Sequence, residues 1–413
     1  MRENGNLFQQ WECPVSSLAG CPPRGENKAV RGIYLHIPFC LRKCSYCDFY
    51  SVEARTPAIQ EFRDLLVRET SLLGVKFPED AAAAADTVYF GGGTPTVLPP
   101  ETLCGLLDAI RARFPVEPDA EITVEANPGT ASRGQLSALR NGGVTRISVG
   151  VQSFTPSILR TLGRIHGREE VRRTVRDARS AGFDSLGIDL IFGIPGQGTG
   201  QWEADLDRTL GFLPAHVSVY ALAPEPGTPI HAAILRGQLL MPPDDTVAEM
   251  YETARRVLSA AGYRQYEISN FARPGHESRH NVKYWKREGT TGFGPSAHSL
   301  LFPRERAPHG LRAANPPSLA EYGKSIRAGR LPWTVEQECR YEDAWKESLI
   351  FGLRMTDGVD LGELEQTIGA PPDPLRDAVN ELVAGGRLLE ENGRLRLPGE
   401  LLFVSNEVLQ RLA

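Results

Sequence analysis

Three cysteines near the start of the chain have the spacing of a metal-binding loop. Cys40, Cys44 and Cys47 form the pattern C-x3-C-x2-C, which places three thiolate ligands on one short segment. A structural zinc site would need a fourth cysteine or histidine nearby, whereas Cys104 and Cys339 stand isolated in other patterns. Three thiolates without an obvious fourth ligand favour a four-iron cluster with one iron open to another ligand. A three-cysteine zinc site or a chance cluster is the alternative.

From about residue 31, predicted strands and helices alternate along the chain, and these elements must position the cysteine loop. The first helix is predicted to have Thr56 as its N-cap, Pro57 in its first turn and Gly74 after its last turn. Six strand–helix units in a row predict a parallel sheet with helical crossovers over residues 31–240. The predicted strands are Ile33–Ile37, Thr87–Phe90, Glu121–Glu125, Thr145–Gly150, Ser185–Ile191 and Val217–Ala221, and the later helices are Pro100–Arg113, Ser132–Arg140, Arg168–Ala181 and Gly200–Leu213.

Distinctive residues follow the carboxyl ends of these predicted strands. The cysteine loop follows the first strand, a Gly-Gly-Gly-Thr segment (91–94) follows the second, and Glu125, Gln152 and Asp189 lie at the ends of later ones. In (β/α) barrels the chemistry gathers at that end of the sheet. No dinucleotide-binding glycine pattern follows the first strand, and no lysine follows a phosphate-binding glycine loop. The sequence therefore predicts an α/β fold with a partial (β/α)6 barrel.

Two further regions are predicted after the barrel. Residues 241–335 contain one amphipathic helix and then a Gly-, Pro- and His-rich segment, expected to form a loop region. Residues 336–413 have the order helix–helix–helix–hairpin, with a turn at Asn392-Gly393, which indicates a winged-helix-like α+β module. This module carries 8 Lys+Arg and 16 Asp+Glu, so it would repel a phosphate backbone.

Composition narrows the class of protein further. Hydrophobic residues make up 41% of the 413 residues and charged residues 23%, with a net charge of −5. These values exclude a disordered chain and a strongly basic nucleic-acid-binding protein. The longest weakly charged runs fall short of the ~20 apolar residues of a membrane span.

Cysteine usage indicates a reducing compartment. Seven cysteines are an odd number at low density, unlike the paired cysteines of small secreted proteins. Leu18–Cys21 has the letters of a lipoprotein cleavage site, but the residues before it are too polar for a signal peptide. We expect residues 1–30, with Cys13 and Cys21, to be a polar extension and the protein to be cytoplasmic.

The cysteine triad and several segments together resemble the radical S-adenosylmethionine superfamily. Within it they resemble the coproporphyrinogen dehydrogenases and their relatives, the HemW heme chaperones. The resemblance extends over about residues 33–301 and includes Tyr34–Cys40, Gly91–Pro95, Glu125–Pro128, Gly150–Phe154, Leu162–His166 and Asp189–Pro195.

The resemblance implies a role for each matching residue. Cys40, Cys44 and Cys47 would bind a [4Fe-4S] cluster whose open iron chelates S-adenosylmethionine. Backbone and hydroxyl groups of residues 92–94 would bind the methionine end of that cofactor, and Arg164 would neutralise its carboxylate. Together with Arg164, the predicted cofactor-binding residues of the barrel are Tyr34, Tyr46, Gly92, Gly93, Thr94, Glu125, Gln152, Asp189 and Ala223.

Two features favour the heme chaperones over the dehydrogenases. The dehydrogenases have a fourth cysteine two positions after the third cluster ligand, where this chain has Phe49. The segment 280–285 matches the H-N-x-x-Y-W motif of the heme chaperones, so His280 would bind heme iron while Tyr284 and Trp285 pack on the porphyrin. A structural loop histidine beside a core Tyr-Trp pair is the alternative. His298 is a second candidate ligand.

The function implied is that of a heme chaperone which delivers heme to apo-hemoproteins of respiration. The alternative is an oxygen-independent coproporphyrinogen III dehydrogenase, which would cleave S-adenosylmethionine and convert propionate groups to vinyl groups. A nucleic-acid-modifying radical enzyme is disfavoured by the acidic balance of the chain. The sequence leaves open a peripheral membrane association through partner proteins, a homodimer, and whether S-adenosylmethionine is cleaved or only bound.

Overall fold

A large sheet forms the centre of the computed structural model, which describes residues 31–303 and 306–413. Six of its strands are parallel and lie side by side in the order β1 (Arg31–Ile37), β4 (Ala85–Gly92), β5 (Val116–Ala126), β6 (Arg146–Gln152), β7 (Ser185–Phe192) and β8 (His216–Ala221). Each predicted strand is present, so the partial (β/α)6 barrel is confirmed. The other strands up to this point are β2 (Phe39–Cys40) and β3 (Val52–Glu53).

Helices connect the parallel strands and cover their outer face. The prediction of the first helix was wrong at both ends: Thr56 is its first residue, after an uncapped Arg55, and Gly74 lies inside its last turn. A Cβ on Gly74 would lie 2.4 Å from Nε of Arg113, so the flexible end of that arginine would have to shift if the glycine were replaced. The helices of the barrel are α1 (Thr56–Lys76), α2 (Pro78–Ala82), α3 (Pro100–Arg113), α4 (Arg133–Asn141), α5 (Pro156–Thr161), α6 (Arg168–Ser180), α7 (Thr199–Gly211) and α8 (Pro229–Leu235).

The region predicted as a helix and a loop contains the predicted helix, but the loop prediction was wrong. Short strands extend the sheet beyond β1 on one side and beyond β8 on the other. These strands have two to four residues each, too short to show an alternating pattern. The elements are α9 (Asp244–Ala260), β9 (Arg264–Gln265), β10 (Asn270–Ala272), α10 (Arg279–Trp285), β11 (Thr290–Phe293), β12 (His298–Leu301), β13 (Leu311–Ala314), α11 (Leu319–Arg327) and β14 (Val335–Glu338).

The carboxyl-terminal part has the predicted order of three helices and a hairpin. Asn392 and Gly393 both have positive φ (55° and 76°), as a two-residue hairpin turn requires. No helix in residues 31–303 and 306–413 is long and apolar enough to cross a membrane. The elements are α12 (Tyr341–Gly352), β15 (Val359–Asp360), α13 (Leu361–Ile368), α14 (Asp373–Ala384), β16 (Leu389–Glu391), β17 (Arg394–Arg396) and α15 (Ser405–Leu409). The predicted extension 1–30, with Cys13 and Cys21, lies outside the described residues.

A buried carboxylate joins α1 to the turn between β11 and β12 and to α11. Glu69, 1% exposed, accepts hydrogen bonds from the backbone N–H of Gly294 (2.8 Å), the side-chain amide of Asn315 (2.7 Å) and the hydroxyl of Tyr322 (2.7 Å). Burial raises the pKa of Glu69 to about 7, and the three donors limit the rise. One side chain thus fastens three separate segments at the edge of the barrel.

We expect Glu69→Ala to destabilise the protein, because the substitution leaves buried donors without an acceptor. Each buried donor left without a partner lowers the free energy of unfolding by about 1–3 kcal/mol. Urea denaturation of the variant should therefore have a lower midpoint than that of wild type. The folded-state pKa lies above the unfolded value of 4.5. The stability that Glu69 contributes is therefore fully present below pH 4.5 and is lost as the pH rises through about 7.

Glu61→Ala on the same helix is the matched control, since Glu61 is 60% exposed and pairs with Arg327 at the surface. Such a pair contributes about 1 kcal/mol or less. Equal losses in the two variants would show that Glu69 does not anchor the turn.

Candidate functional site

The cysteine loop lies at the carboxyl end of β1, where its backbone is fastened to the far side of the barrel. The backbone N–H of Ser45 donates to the carbonyl of Leu162 (3.0 Å), and its hydroxyl donates to the carbonyl of Thr161 (2.6 Å). The carbonyl of Ser45 accepts from the N–H of Ile230 at the start of α8 (2.9 Å). The loop is therefore held in place by protein contacts on both of its sides.

The three thiols of this loop lie close enough to influence one another. Burial, with a smaller contribution from the neighbouring thiols of Cys44 and Cys40, raises the pKa of Cys47 to about 11. Sγ of Cys44 accepts a hydrogen bond from the Arg164 guanidinium (3.4 Å), and Sγ of Cys40 lies 3.5 Å from Oγ1 of Thr94. Buried thiols become thiolates when bound iron compensates their charge, so this donor set fits an iron–sulfur cluster.

A cluster and a single metal ion make different demands on the ligands. In the described residues, no three His, Cys, Asp or Glu side chains converge on a position for one metal ion. In a four-iron cluster each thiolate binds a different iron. The five described cysteines are all free thiols.

The glycine segment holds the cysteine loop from the neighbouring strand. The N–H of Gly93 donates to the carbonyl of Ile37, and that of Thr94 donates to the carbonyl of Phe39, both at 2.8 Å. A Cβ on Gly93 would lie 2.7 Å from the Phe39 carbonyl oxygen. The N–H groups of Gly93 and Thr94 thus donate within the protein, and backbone and hydroxyl contacts of residues 92–94 with the methionine end of a cofactor stay a prediction. Gly92, with φ of 100°, makes the bend that allows this approach.

Arg164 joins the cysteine loop to the ends of β5 and β6. Its guanidinium donates to Cys44, to the side-chain oxygen of Asn127 and to the carbonyl of Gly150. Asn127 in turn donates to the hydroxyl of Thr94 (2.8 Å). Sequence reasoning quoted Asn127 as part of a motif and gave it no role. Its position two residues after the end of the predicted strand Glu121–Glu125, at the end of the sheet where functional residues gather, was the available signal.

Two buried polar atoms at the end of β6 and on Arg164 make no hydrogen bond with the described residues. They are Nε of Arg164 itself and Oε1 of Gln152. Gln152 has φ of 66° at an irregularity in the pairing of β6 with β7, a conformation that non-glycine residues adopt at a cost. Unpartnered donors and acceptors in a strained setting, next to the thiols, fit a polar cofactor such as S-adenosylmethionine.

Two carboxylates face the barrel interior from β5 and β7, the strands on either side of β6. Glu125 accepts from the hydroxyl of Tyr89 (2.7 Å), and burial raises its pKa to about 7. Asp189 accepts from the hydroxyls of Ser148 (3.0 Å) and Ser218 (2.6 Å), and burial also raises its pKa. Asp189 further raises the pKa of Glu125, and both carboxylates raise the pKa of Tyr89, so the interior favours a ligand with positive charge.

The remaining residues predicted to line the cofactor site lie around this interior. Tyr46 packs against a small apolar cluster at the end of α5 and β7 and lies near Arg164 and Asp189. Tyr34 stacks on Tyr89 with ring centroids 6.1 Å apart. Ala223 is exposed directly after β8.

Two tyrosines of the barrel interior remain partly accessible. Tyr220 and Tyr284 are surrounded by protein, which raises the pKa of both phenols, yet they remain 40% and 39% exposed. Two aromatic residues that are both enclosed and accessible border an internal chamber. Sequence reasoning missed Tyr220, although its position in the last parallel strand, two residues from Ser218, was the signal.

The predicted heme ligand His280 lies at the other end of the barrel from the cysteines. It is 1% exposed, and its Nδ1 lies 2.8 Å from Oγ1 of Thr87 near the start of β4. Its Nε2 lies 3.1 Å from the hydroxyl of Tyr284, and its ring stacks on Tyr89 at 5.1 Å. Burial lowers the pKa of His280 to about 3, so the ring is a neutral, fully hydrogen-bonded core group in this conformation.

Ion pairs hold α10, which carries His280, across the amino ends of β4 and β5. Lys283 is 4% exposed and lies 2.7 Å from Asp86, while Arg279 lies 3.2 Å from the same carboxylate. The backbone N–H of His280 donates to Glu121. The helix therefore closes the floor of the barrel.

The three predicted heme contacts on α10 do not face one site. Tyr284 borders the internal chamber with His280, whereas Trp285 turns toward the carboxyl-terminal module. The guanidinium of Arg354 lies 4.8 Å from the centre of the Trp285 ring. The structure thus brings the cluster and cofactor residues together and leaves Trp285 apart from them.

We expect anaerobic reconstitution to give ~4 iron per chain with an oxygen-sensitive charge-transfer band. Cys47→Ser should lose most of that iron, because a serine hydroxyl is a poor substitute for a thiolate. Iron analysis and the absorption spectrum are measured for wild type and Cys47→Ser.

Cys104→Ser is the matched control, since Cys104 is a half-buried thiol on α3 that makes a 3.9 Å contact with the carbonyl of Ala138. It should retain the full cluster. Tight zinc in place of iron, or an intact cluster in Cys47→Ser, would contradict the assignment.

Comparisons with known proteins agree with this geometry. Residues 34–209 match the profile of the Radical SAM superfamily, and residues 341–400 match that of the HemN C-terminal domain. The solved structure of coproporphyrinogen III oxidase (HemN) from Escherichia coli superposes with a TM-score of 0.78 at 22% identity, covering 93% of this chain and 90% of that one. This likeness shows the fold.

Whole-length relatives define the family more closely. A protein named heme chaperone HemW from Bacillus subtilis is 34% identical over 381 residues, which cover 92% of this chain and 98% of the relative. Another of that name from Mycobacterium tuberculosis is 35% identical over 413 residues, covering 98% and 99%. The chain therefore belongs to the radical SAM superfamily and, within it, to the HemW family.

Proposed function

We propose that this protein is a heme chaperone that binds heme, a [4Fe-4S] cluster and S-adenosylmethionine and passes heme to apo-hemoproteins of respiration. The observation that carries the proposal is the residue at position 49. Next to a complete set of cluster ligands, Phe49 stands where the coproporphyrinogen dehydrogenases have a cysteine, and it is 61% exposed. An exposed aromatic ring at the barrel mouth suits contact with a flat apolar cargo better than electron transfer.

The chain's own residues would hold the cofactor in a fixed orientation. When bound, the cluster supplies an open iron for S-adenosylmethionine. Arg164, already directed at Cys44, would pair with the methionine carboxylate, since a planar guanidinium suits a carboxylate. The unpartnered amide oxygen of Gln152 would accept a hydrogen bond from the same cofactor.

The interior carboxylates would contribute charge that depends on pH. Glu125 has a pKa of about 7, so it is neutral in more acidic solution and negative in more alkaline solution. A cationic sulfonium is attracted only to the ionised form. Binding of S-adenosylmethionine is therefore expected to strengthen as the pH rises through about 7.

Coproporphyrinogen dehydrogenase activity is the second candidate function. The internal chamber bordered by Tyr220 and Tyr284, and its two carboxylates, favour it, because these groups could contact a substrate inside the barrel. Phe49 argues against it. The cytoplasm, a reducing compartment, would suit either function.

We expect the reconstituted protein not to decarboxylate coproporphyrinogen III when supplied with S-adenosylmethionine and a reductant under anaerobic conditions. Chromatography of the porphyrin products measures this, with an authentic coproporphyrinogen dehydrogenase as the positive control. The same preparation should bind hemin and give a shifted, saturable Soret band. If vinyl products form and hemin does not bind, the proposed chaperone function is wrong and the dehydrogenase function is favoured.

A further inference from the structure

A heme chaperone must offer the iron an accessible ligand atom, and the histidines of this chain differ sharply in that respect. His36 and His280 are 2% and 1% exposed. In His36, Nε2 lies 2.9 Å from the carbonyl of Tyr50 and Nδ1 lies 3.3 Å from the hydroxyl of Tyr34. Both nitrogens of His280 are hydrogen-bonded as well. Iron could reach either ring only after protein hydrogen bonds broke.

His298 has the opposite environment. It is exposed, and neither ring nitrogen makes a hydrogen bond with the residues that the structure describes. Burial by surrounding protein, and next the charge of Arg312, lowers its pKa. Its ring is therefore biased toward the neutral form, which has a lone pair for a metal.

The position of His298 is the carboxyl end of the barrel, on the side of the cysteine loop. The strand before it, β11, pairs with β1, with Phe293 opposite Leu35. At the next residue, a Cβ on Gly294 would lie 2.5 Å from the carbonyl oxygen of His36. His36 contacts Tyr50, three residues after Cys47.

The turn that carries His298 is fastened from below. Glu69 accepts from the N–H of Gly294, and the side-chain amide of Asn315 donates to both Glu69 and the carbonyl of Gly294 (2.7 Å each). Ser296 has φ of 64°, a conformation that a serine keeps only when its surroundings impose it. A rigid turn lowers the entropy lost when its side chain binds a ligand.

We infer that His298 is the axial ligand to the iron of the cargo heme, which places the heme at the barrel mouth beside the cluster loop and Phe49. This assignment rests on the proposed chaperone function and replaces His280 as the ligand. A single accessible imidazole on one face would leave the other face of the iron open. Such a heme can be passed on to an acceptor that supplies its own ligand.

Hemin titration of reconstituted wild type and variants tests the assignment. His298→Ala should weaken hemin binding about tenfold or more, because the coordinate bond is lost. Added imidazole should restore the Soret band of that variant, since it can occupy the vacated position. His231→Ala, which removes a half-buried histidine on α8, is the matched control and should bind hemin like wild type.

Iron content and the melting temperature establish that each variant is folded, and His280→Ala is titrated in parallel. Hemin binding by His298→Ala at wild-type affinity would overturn the ligand assignment and leave the chaperone function standing. If a folded His280→Ala loses hemin binding and His298→Ala does not, His280 is the iron ligand. No hemin binding by wild type would instead reject the proposed function itself.

Discussion

Six parallel strands enclose an interior with two ends, and within residues 31–303 and 306–413 a helix closes one of them. The helix α10 covers the amino ends of β4 and β5, where Lys283 and Arg279 pair with Asp86 and His280 fills the space above Gly32. Because all carboxyl ends point the other way, the cysteine loop, the glycine segment and the interior carboxylates share the end that stays open. Closure of the floor therefore determines where ligands enter.

At the open end, backbone contacts and one guanidinium do most of the positioning. The amides of Gly93 and Thr94 hold the chain that leads into the cysteines. Arg164 holds Cys44 from across the barrel and places a positive charge beside the thiols. The cofactor groups that this region is expected to bind carry negative charge on a carboxylate and positive charge on a sulfonium. The site offers the Arg164 guanidinium and two interior carboxylates to match them.

Much of the barrel was predictable from the sequence, because its strands are long enough to show β-branched runs and its helices carry apolar stripes. The helix Pro100–Arg113 was predicted with its observed bounds. The strands β9–β14 were missed because two to four residues show no period. The motif around His280 indicated ligand chemistry, but spacing alone contains no information about which end of a barrel a helix covers. Its burial against Thr87 depends on long-range contacts.

The link between Glu347 on α12 and the sheet has a consequence for how sequence variation is tolerated. Its two carboxylate oxygens accept from Arg287 (2.6 Å) and Arg312 (2.7 Å), and the Arg287 side chain is only 3% exposed. Substitution of Glu347 would leave two guanidinium groups without their carboxylate, so its effect would not add to changes at either arginine. We expect Arg287, Arg312 and Glu347 to change together among relatives, because the three side chains form one set of ion pairs between the barrel and the carboxyl-terminal module.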